Sequence, residues 1–234
     1  FGKQKYMNFS KNLYRSTTPL VNLIVFLTTF SKIYGQASGS CKTPQGAQIL
    51  EAEKILTNLG YWITKIDCVK DSSTNHAVIA FQKIEKLKRT GILTNDLLNI
   101  MRNAARPAAK YAGTAHIEVD LTRQVLFLVN DSGIIERILP VSSGNEKKYF
   151  DEGKWQIAHT PRGNFKIERK IEGVRRAPLG NLYNPNYFYQ GVAIHGSNSI
   201  PVYPASHGCV RIPRFADEEF SRLVWIGMNV FVYE

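Results

Sequence analysis

The spacing of apolar residues changes near residue 110, and this change constrains the fold more than any other feature of the sequence. Between Gly46 and Leu59, apolar side chains recur every three or four residues, and Gly60 follows. That period and that stop are typical of an amphipathic helix. Later, Ile117, Val119 and Leu121 alternate with charged residues, as in a strand with one buried face. The sequence therefore predicts an α+β chain in which helices precede strands.

Two further segments of the first half carry the helical period. They are residues 74–87 and residues 95–104, the second with Thr94 as its N-cap. Three helices of this size predict a small three-helix bundle over residues 44–106. A bundle of about 60 residues is marginal by itself, so we expect docking or a disulfide to support it.

The second half predicts a mainly β domain over residues 113–234. Residues 125–129 and 134–141 flank the turn Asn130–Gly133 and form a predicted hairpin. Other predicted elements are strands at 117–121, 165–171, 191–194 and 229–233, and one helix at 214–224. Many short strands separated by Gly and Pro turns are typical of a sandwich-like or barrel fold.

The N-terminal segment has the order of an export signal. With Met7 as the start, Phe1–Tyr6 would be upstream sequence; basic residues, an apolar run over 19–30 and small residues ending at Ala37 follow. This order predicts a signal peptide over residues 7–37 and an extracytoplasmic location, in periplasm or cell wall. An uncleaved membrane anchor is the alternative; after cleavage we expect no stable membrane span.

The charge balance is basic: 30 Lys and Arg stand against 19 Asp and Glu, a formal net charge of +11. Such a balance favours an acidic partner. No basic helix with interleaved aromatic residues is present, so we expect no nucleic-acid partner.

Three cysteines leave at least one thiol without a partner inside the chain. Cys41 and Cys68 lie near each other in the sequence, and Cys209 lies far from both. One interpretation pairs Cys41 with Cys68; the other is three unrelated thiols. Sequence alone leaves both open.

Cys209 lies in a context suited to nucleophilic catalysis. Gly208 and His207 precede it directly, and a second histidine, His195, ends an apolar stretch. A thiol becomes a strong nucleophile when an imidazole takes its proton and stabilises the thiolate. We predict His195 as that base, because a strand end can hold its ring, whereas His207 lies in a turn.

The same residues resemble the catalytic signature of the L,D-transpeptidase (YkuD-like) family. The matching segments are Ile194–Ser197 and Ser206–Arg211, with Ile117–Asp120, Thr160–Phe165 and Pro178–Gly180. The helical segment resembles the peptidoglycan-binding three-helix domain through Leu59–Trp62, Asp67 and Ala77–Gln82.

The resemblance implies a role for each site residue. Cys209 would be the acylated nucleophile and His195 its base, oriented by the Gly196 carbonyl. His207, Gly208 and Cys209 would line the oxyanion hole. Ser206 and Arg211 would complete the substrate pocket.

The resemblance also implies a substrate and a reaction. Peptidoglycan stem peptides would be cross-linked or remodelled through a Cys thioester, with no cofactor and no metal. Three alternatives are open: an L,D-carboxypeptidase using water, a non-catalytic wall-binding protein, and a zinc hydrolase. The zinc ligands would come from His159, His195, His207 and Cys209.

Overall fold

The computed structural model describes residues 41–151 and 153–234. These described residues belong to one compact unit. The predicted signal peptide, residues 7–37, lies outside the described residues. Within the described part of the chain, no helix combines the length and apolar character needed to span a membrane.

Three helices form the first part of the described fold, each starting at a capping side chain. They are α1 (Pro44–Asn58), α2 (Ser72–Ile84) and α3 (Asn95–Asn103). Side chains of Thr43, Asp71 and Thr94 accept hydrogen bonds from backbone N–H groups in the respective first turns, which satisfies donors that a helix start leaves unpaired.

The second helix starts and ends earlier than the predicted span of 74–87. Asp71 caps it at the N-terminus, so the helix includes Ser72 and Ser73. At the other end Lys86 adopts a φ of 56°, and this left-handed conformation cannot continue an α-helix. The apolar Leu87 thus follows the helix instead of belonging to it.

A disulfide joins Cys41 to Cys68, with Cα atoms 5.7 Å apart. It ties the start of α1 to the loop before α2. Cys209 is a free cysteine. The structure therefore selects the pairing interpretation over three unrelated thiols.

Twelve strands make up most of the second part within the described residues. They are β1 (His116–Asp120), β2 (Val125–Val129), β3 (Ile135–Pro140), β4 (Lys148–Asp151), β5 (Lys154–Ile157), β6 (Gly163–Lys166), β7 (Arg169–Lys170), β8 (Val174–Ala177), β9 (Gly180–Tyr189), β10 (Val192–Ser197), β11 (Val210–Pro213) and β12 (Asn229–Tyr233), with helix α4 (Asp217–Leu223) between the last two.

Two five-stranded sheets and one hairpin contain these strands. The first sheet has the order β3-β2-β1-β12-β6, and the second has β11-β10-β9-β7 with β8 also on β9. β4 and β5 form the separate hairpin. Side chains from both sheets share one apolar core, for example Ile117 from the first and Phe188 and Val210 from the second. The predicted fold class, a helical bundle followed by a sandwich-like β domain, is confirmed.

The predicted strand 165–171 is wrong as a single element. β6 pairs with β12 in the first sheet, and β7 pairs with β9 in the second. Ile167, between them, is buried in the shared core, so the chain crosses from one sheet to the other there. Helix α4 begins at Asp217 instead of 214, because Pro213 and Ala216 first close a hydrogen-bonded turn.

The β2 strand explains how the helices join the β domain. Leu126 and Leu128 face the core between the sheets, whereas Val125, Phe127 and Val129 face a second core formed with the three helices. Successive side chains of a strand point to opposite faces, so one strand serves both cores. The limits 44–106 and 113–234 remain our proposal for the two domains.

Candidate active site

The site lies at the edge of the second sheet, where β10 and β11 run parallel. Ile194 pairs with Val210 and His195 with Arg211. Cys209 directly precedes β11, beside Ala193, whose backbone N–H lies 3.4 Å from the Cys209 Sγ. The parallel register therefore brings two segments 14 residues apart in sequence into one site.

A cavity of 820 Å³ opens at this edge. Six of the seven predicted site residues line it: His195, Ser206, His207, Gly208, Cys209 and Arg211. Gly196 does not line the cavity. A Cβ at Gly196 would overlap the carboxylate of Asp217, so packing requires glycine there.

The ring of His195 is held in one tautomer. It is 6% exposed, and its Nδ1 lies 2.8 Å from the carbonyl oxygen of Gly196. Because a carbonyl only accepts, Nδ1 carries the proton and Nε2 has a free lone pair. Burial lowers the pKa of His195 to about 4, and the charge of Arg211 acts in the same direction. The imidazole is therefore neutral at pH 7.

The thiol of Cys209 is also favoured in its uncharged form. Burial raises its pKa above the ordinary value, although the Ala193 N–H and the nearby Arg211 charge oppose this effect. Both groups are therefore favoured in their uncharged forms, whereas the sequence led us to expect a thiolate.

Hydrogen bonds fix the Ser206–Cys209 loop. The Ser206 hydroxyl donates to the Cys209 carbonyl at 2.5 Å and accepts from the Gly208 N–H at 3.0 Å. Gly208 has a φ of +136°, and a Cβ there would lie 2.9 Å from the His159 carbonyl oxygen. Only glycine suits this position. The Gly208 N–H, one of the expected oxyanion donors, is therefore already bonded to Ser206.

A threonine that the sequence analysis missed holds the other side of this loop. Thr160 is buried, and its hydroxyl donates to the Gly208 carbonyl at 2.6 Å. Its oxygen also accepts from the Gly144 N–H at 2.8 Å. Thr160 lay within a segment noted for its resemblance to the family, but nothing in the local sequence indicated a contact with Gly208.

His207 has a different environment from His195. It is exposed, and its ring centroid lies 4.7 Å from that of Tyr149. Among the residues that the structure describes, no hydrogen bond fixes its tautomer. The two histidines thus differ in the feature that a general base requires, an oriented ring.

The cavity wall carries more positive than negative charge. Among the described residues, four cations line it, Lys154, Arg169, Arg175 and Arg211, against one acid, Asp151. Within the described ranges none of the four cations forms an ion pair. Unpaired cations in a cleft attract anionic substrates.

The proposed zinc ligands do not form a cluster. Across residues 41–151 and 153–234, no group of three or more His, Cys, Asp or Glu side chains could hold a metal ion. His159 instead pairs with Glu146, with 2.9 Å between Nδ1 and Oε2.

Comparisons with known proteins give the family. A family model described as the YkuD L,D-transpeptidase catalytic domain matches residues 114–232, which is just over half of the chain. The chain belongs to the L,D-transpeptidase family. A second model, a peptidoglycan binding domain, matches residues 45–101 of this L,D-transpeptidase. Both resemblances noted in the sequence are confirmed.

One solved structure supports this assignment. The chain is 36% identical to an L,D-transpeptidase from Xylanimonas cellulosilytica, with a TM-score of 0.74 and coverage of 83% of this chain and 99% of that one. An L,D-transpeptidase from Stackebrandtia nassauensis is 21% identical, with a TM-score of 0.48 over 84% of this chain and 95% of that one. Among curated proteins, no sequence matches. Family membership supports a transferase that acts on peptidoglycan.

Proposed function

We propose that this chain is an exported cysteine L,D-transpeptidase that cross-links or remodels peptidoglycan stem peptides through a thioester on Cys209. The observation that carries the proposal is the tautomer of His195. The Gly196 carbonyl accepts from Nδ1, which leaves Nε2 as a base in the cavity that Cys209 also lines.

The first half of the reaction forms the thioester. The Cys209 sulfur attacks the carbonyl carbon at the L-centre of the diamino acid in a donor stem, while His195 Nε2 takes the thiol proton. The carbonyl π electrons move to oxygen and give a tetrahedral oxyanion. When the C–N bond breaks, the imidazolium returns this proton to the leaving nitrogen, and D-Ala departs.

Backbone geometry supports an oxyanion site at Cys209. Thr160 fixes the Gly208 carbonyl, and in a trans peptide the N–H of the next residue points the opposite way. The Cys209 N–H is thereby fixed in direction as well. A preorganised donor of this kind stabilises the charge that develops on the carbonyl oxygen.

The second half transfers the acyl group. An amine of a second stem attacks the thioester, His195 removes one proton from the amine, and the thiol leaves with a proton from the imidazolium. Water as acceptor would give an L,D-carboxypeptidase instead. The cationic cavity wall suits carboxylate-bearing stems, and the charge of Arg211 acts on the Cys209 thiol.

The disulfide supports export. Structural disulfides form in oxidising compartments outside the cytoplasm, and the bond between Cys41 and Cys68 ties the start of α1 to the loop before α2. If the signal peptide is removed near Ala37, N-terminal sequencing of secreted protein will begin near Ser38. Recovery of an intact apolar segment in membranes would instead identify an anchor.

We further propose that residues 44–106 bind peptidoglycan. The test is co-sedimentation of inactive Cys209→Ser protein with insoluble peptidoglycan, with and without excess soluble stem peptide. Binding that persists when stems saturate the cavity supports a second contact through the helices. Complete loss would restrict binding to the catalytic cleft.

The reaction is tested with purified protein, a defined tetrapeptide stem and an amine acceptor. Release of D-Ala with formation of a cross-linked peptide supports transpeptidation. Release of D-Ala with a free tripeptide identifies the carboxypeptidase, and no release supports the non-catalytic wall protein. The matched control is Cys209→Ser, whose hydroxyl has a far higher pKa than a thiol.

A further inference from the structure

A lysine of the helical segment is buried against the β domain. Lys83, near the end of α2, is 1% exposed. Its Nζ donates to the carbonyl oxygens of Gln124 at 2.9 Å and Val141 at 2.8 Å. Among the described residues no carboxylate forms an ion pair with it. Burial lowers its pKa to about 7, and the charge of Arg89 adds to this effect.

This arrangement is a poor device for stability alone. A buried ammonium group loses its hydration, and two neutral carbonyls replace it only in part. Apolar residues of similar volume often stabilise such a position better than a charge does. We therefore asked which groups the buried Lys83 side chain holds in place.

The carbonyls that Lys83 holds belong to segments that contact the catalytic loop. Gln124 bonds Ser143 twice: its Oε1 accepts from the Ser143 N–H at 3.0 Å, and its Nε2 donates to the Ser143 hydroxyl at 2.7 Å. The Ser143 carbonyl accepts from the N–H groups of Ala205 and Ser206, each at 2.9 Å. Ser206 in turn bonds the Cys209 carbonyl at 2.5 Å.

Each side chain of this connection is buried. Gln124 is 1% exposed, Ser143 2% and Ser206 1%. Val141, the second acceptor of Lys83, directly precedes Ser142, and Ser142 exchanges backbone hydrogen bonds with Arg211. Two hydrogen-bonded routes thus lead from one ammonium group to both sides of Cys209.

We propose that Lys83 is a positioning residue for acyl transfer, holding Gln124 and Val141 so that Ser143 and Ser142 fix the loop that carries Cys209. This role rests on the proposed function of Cys209. It makes the helical segment part of the frame of the active site. Displacements of about 1 Å far from the chemistry can cost about 100-fold in rate.

The test compares Lys83→Met with Thr74→Val in steady-state transpeptidation. Thr74 lies on the same helix, is buried and bonds Glu53, but has no part in this connection. Both proteins must first show cooperative thermal unfolding. We expect kcat to fall at least about 10-fold in Lys83→Met, with KM within about 2-fold, because the loop and not substrate binding is disturbed. Thr74→Val should keep kcat within about 2-fold.

A double-mutant cycle separates positioning from general loosening. Gln124→Ala keeps the carbonyl that Lys83 binds but removes the side chain that reaches Ser143. If Lys83 acts through the Gln124 side chain, the fold-loss in kcat caused by Lys83→Met will be smaller in the Gln124→Ala background than in wild type, by a factor of at least about 5. Additive losses, an unchanged kcat in Lys83→Met, or an equal loss in Thr74→Val overturn the proposal.

Should Lys83→Met fail to fold, Lys83→Gln, which keeps a neutral N–H donor, replaces it in the same cycle, and failure of both to fold overturns a positioning role. If wild-type protein shows no turnover that depends on Cys209, the proposed function itself is refuted. If wild-type turnover is normal and substitution of Lys83 does not change it, only the positioning role of Lys83 is refuted.

Discussion

The hydroxyl of Thr160 donates a 2.6 Å hydrogen bond to the carbonyl oxygen of Gly208, one residue before the free cysteine. We expect Thr160→Val, which keeps the shape and removes the donor, to lower kcat about 10- to 100-fold because the Cys209 N–H loses its fixed direction. Two buried groups would also lose a partner, at a cost of about 1–3 kcal/mol each in the free energy of unfolding. Steady-state kinetics and urea unfolding measure both effects.

The exposed Thr122 provides the control for that experiment, as Thr122→Val should change neither quantity. Full kcat in folded Thr160→Val would show that this bond does not shape the oxyanion site.

The pKa shifts of His195 and Cys209 predict the pH dependence of thiol alkylation. With the pKa of the thiol raised and that of the imidazole lowered to about 4, iodoacetamide should react slowly near neutral pH and faster as pH rises through the thiol pKa. His195→Ala should shift this profile little, because a neutral ring does not stabilise a thiolate. Acylation by a stem peptide should nonetheless fall about 10²- to 10⁴-fold in His195→Ala, as for loss of a general base.

His207→Ala is the matched variant for this assignment, and we expect it to keep most of the acylation rate. A plateau of alkylation from about pH 5 to pH 8 would reveal a thiolate–imidazolium pair and contradict the neutral resting state. A larger acylation defect in His207→Ala than in His195→Ala would reverse the two roles.

Lys83 predicts a pH dependence of stability. Its folded pKa of about 7 lies below the unfolded value of about 10.4, so between these values the unfolded chain binds more protons. The free energy of unfolding of wild type relative to Lys83→Met should therefore rise with pH across this window, by at most about 1.4 kcal/mol per pH unit. Urea unfolding of both proteins at several pH values measures the difference. Parallel curves would show that Lys83 titrates normally.

The shared core predicts what happens when the helices are removed. A chain of residues 107–234 uncovers the apolar face formed by Val125, Phe127, Val129, Ile135 and Ile138. We expect this fragment to aggregate or lose cooperative unfolding, because exposed patches of this kind associate. Size-exclusion chromatography and thermal unfolding are the measurements. A monomeric fragment that unfolds cooperatively would show that the β domain is stable without the helices.

Elements with a clean hydrophobic period were predictable from the sequence. The β1–β3 hairpins and α1 and α3 depend on local alternation, caps and turns, and the structure has them near the predicted limits. β4, β5 and β8 are mostly exposed, so no buried face marked them. The split at Ile167 depends on pairing with two strands distant in sequence, which local patterns do not contain.

Some residues of the candidate site could likewise be predicted from the sequence, and others could not. Cys209, His195 and their glycine neighbours could be named because their residue types lie together in two short segments. Thr160 and Lys83 could not, since their contacts span 48 and 41 residues along the chain. A lysine in a helix is normally predicted to be exposed to solvent, and only the fold shows that Lys83 is buried.

Intact-protein mass spectrometry tests the thioester on Cys209 most directly. Wild-type protein mixed with a tetrapeptide stem that ends in D-Ala and quenched in acid should gain the mass of the tripeptide acyl group. Peptide mapping should place this group on Cys209, and Cys209→Ser should gain nothing. An adduct at another residue, or turnover that survives in Cys209→Ser, would contradict the cysteine mechanism.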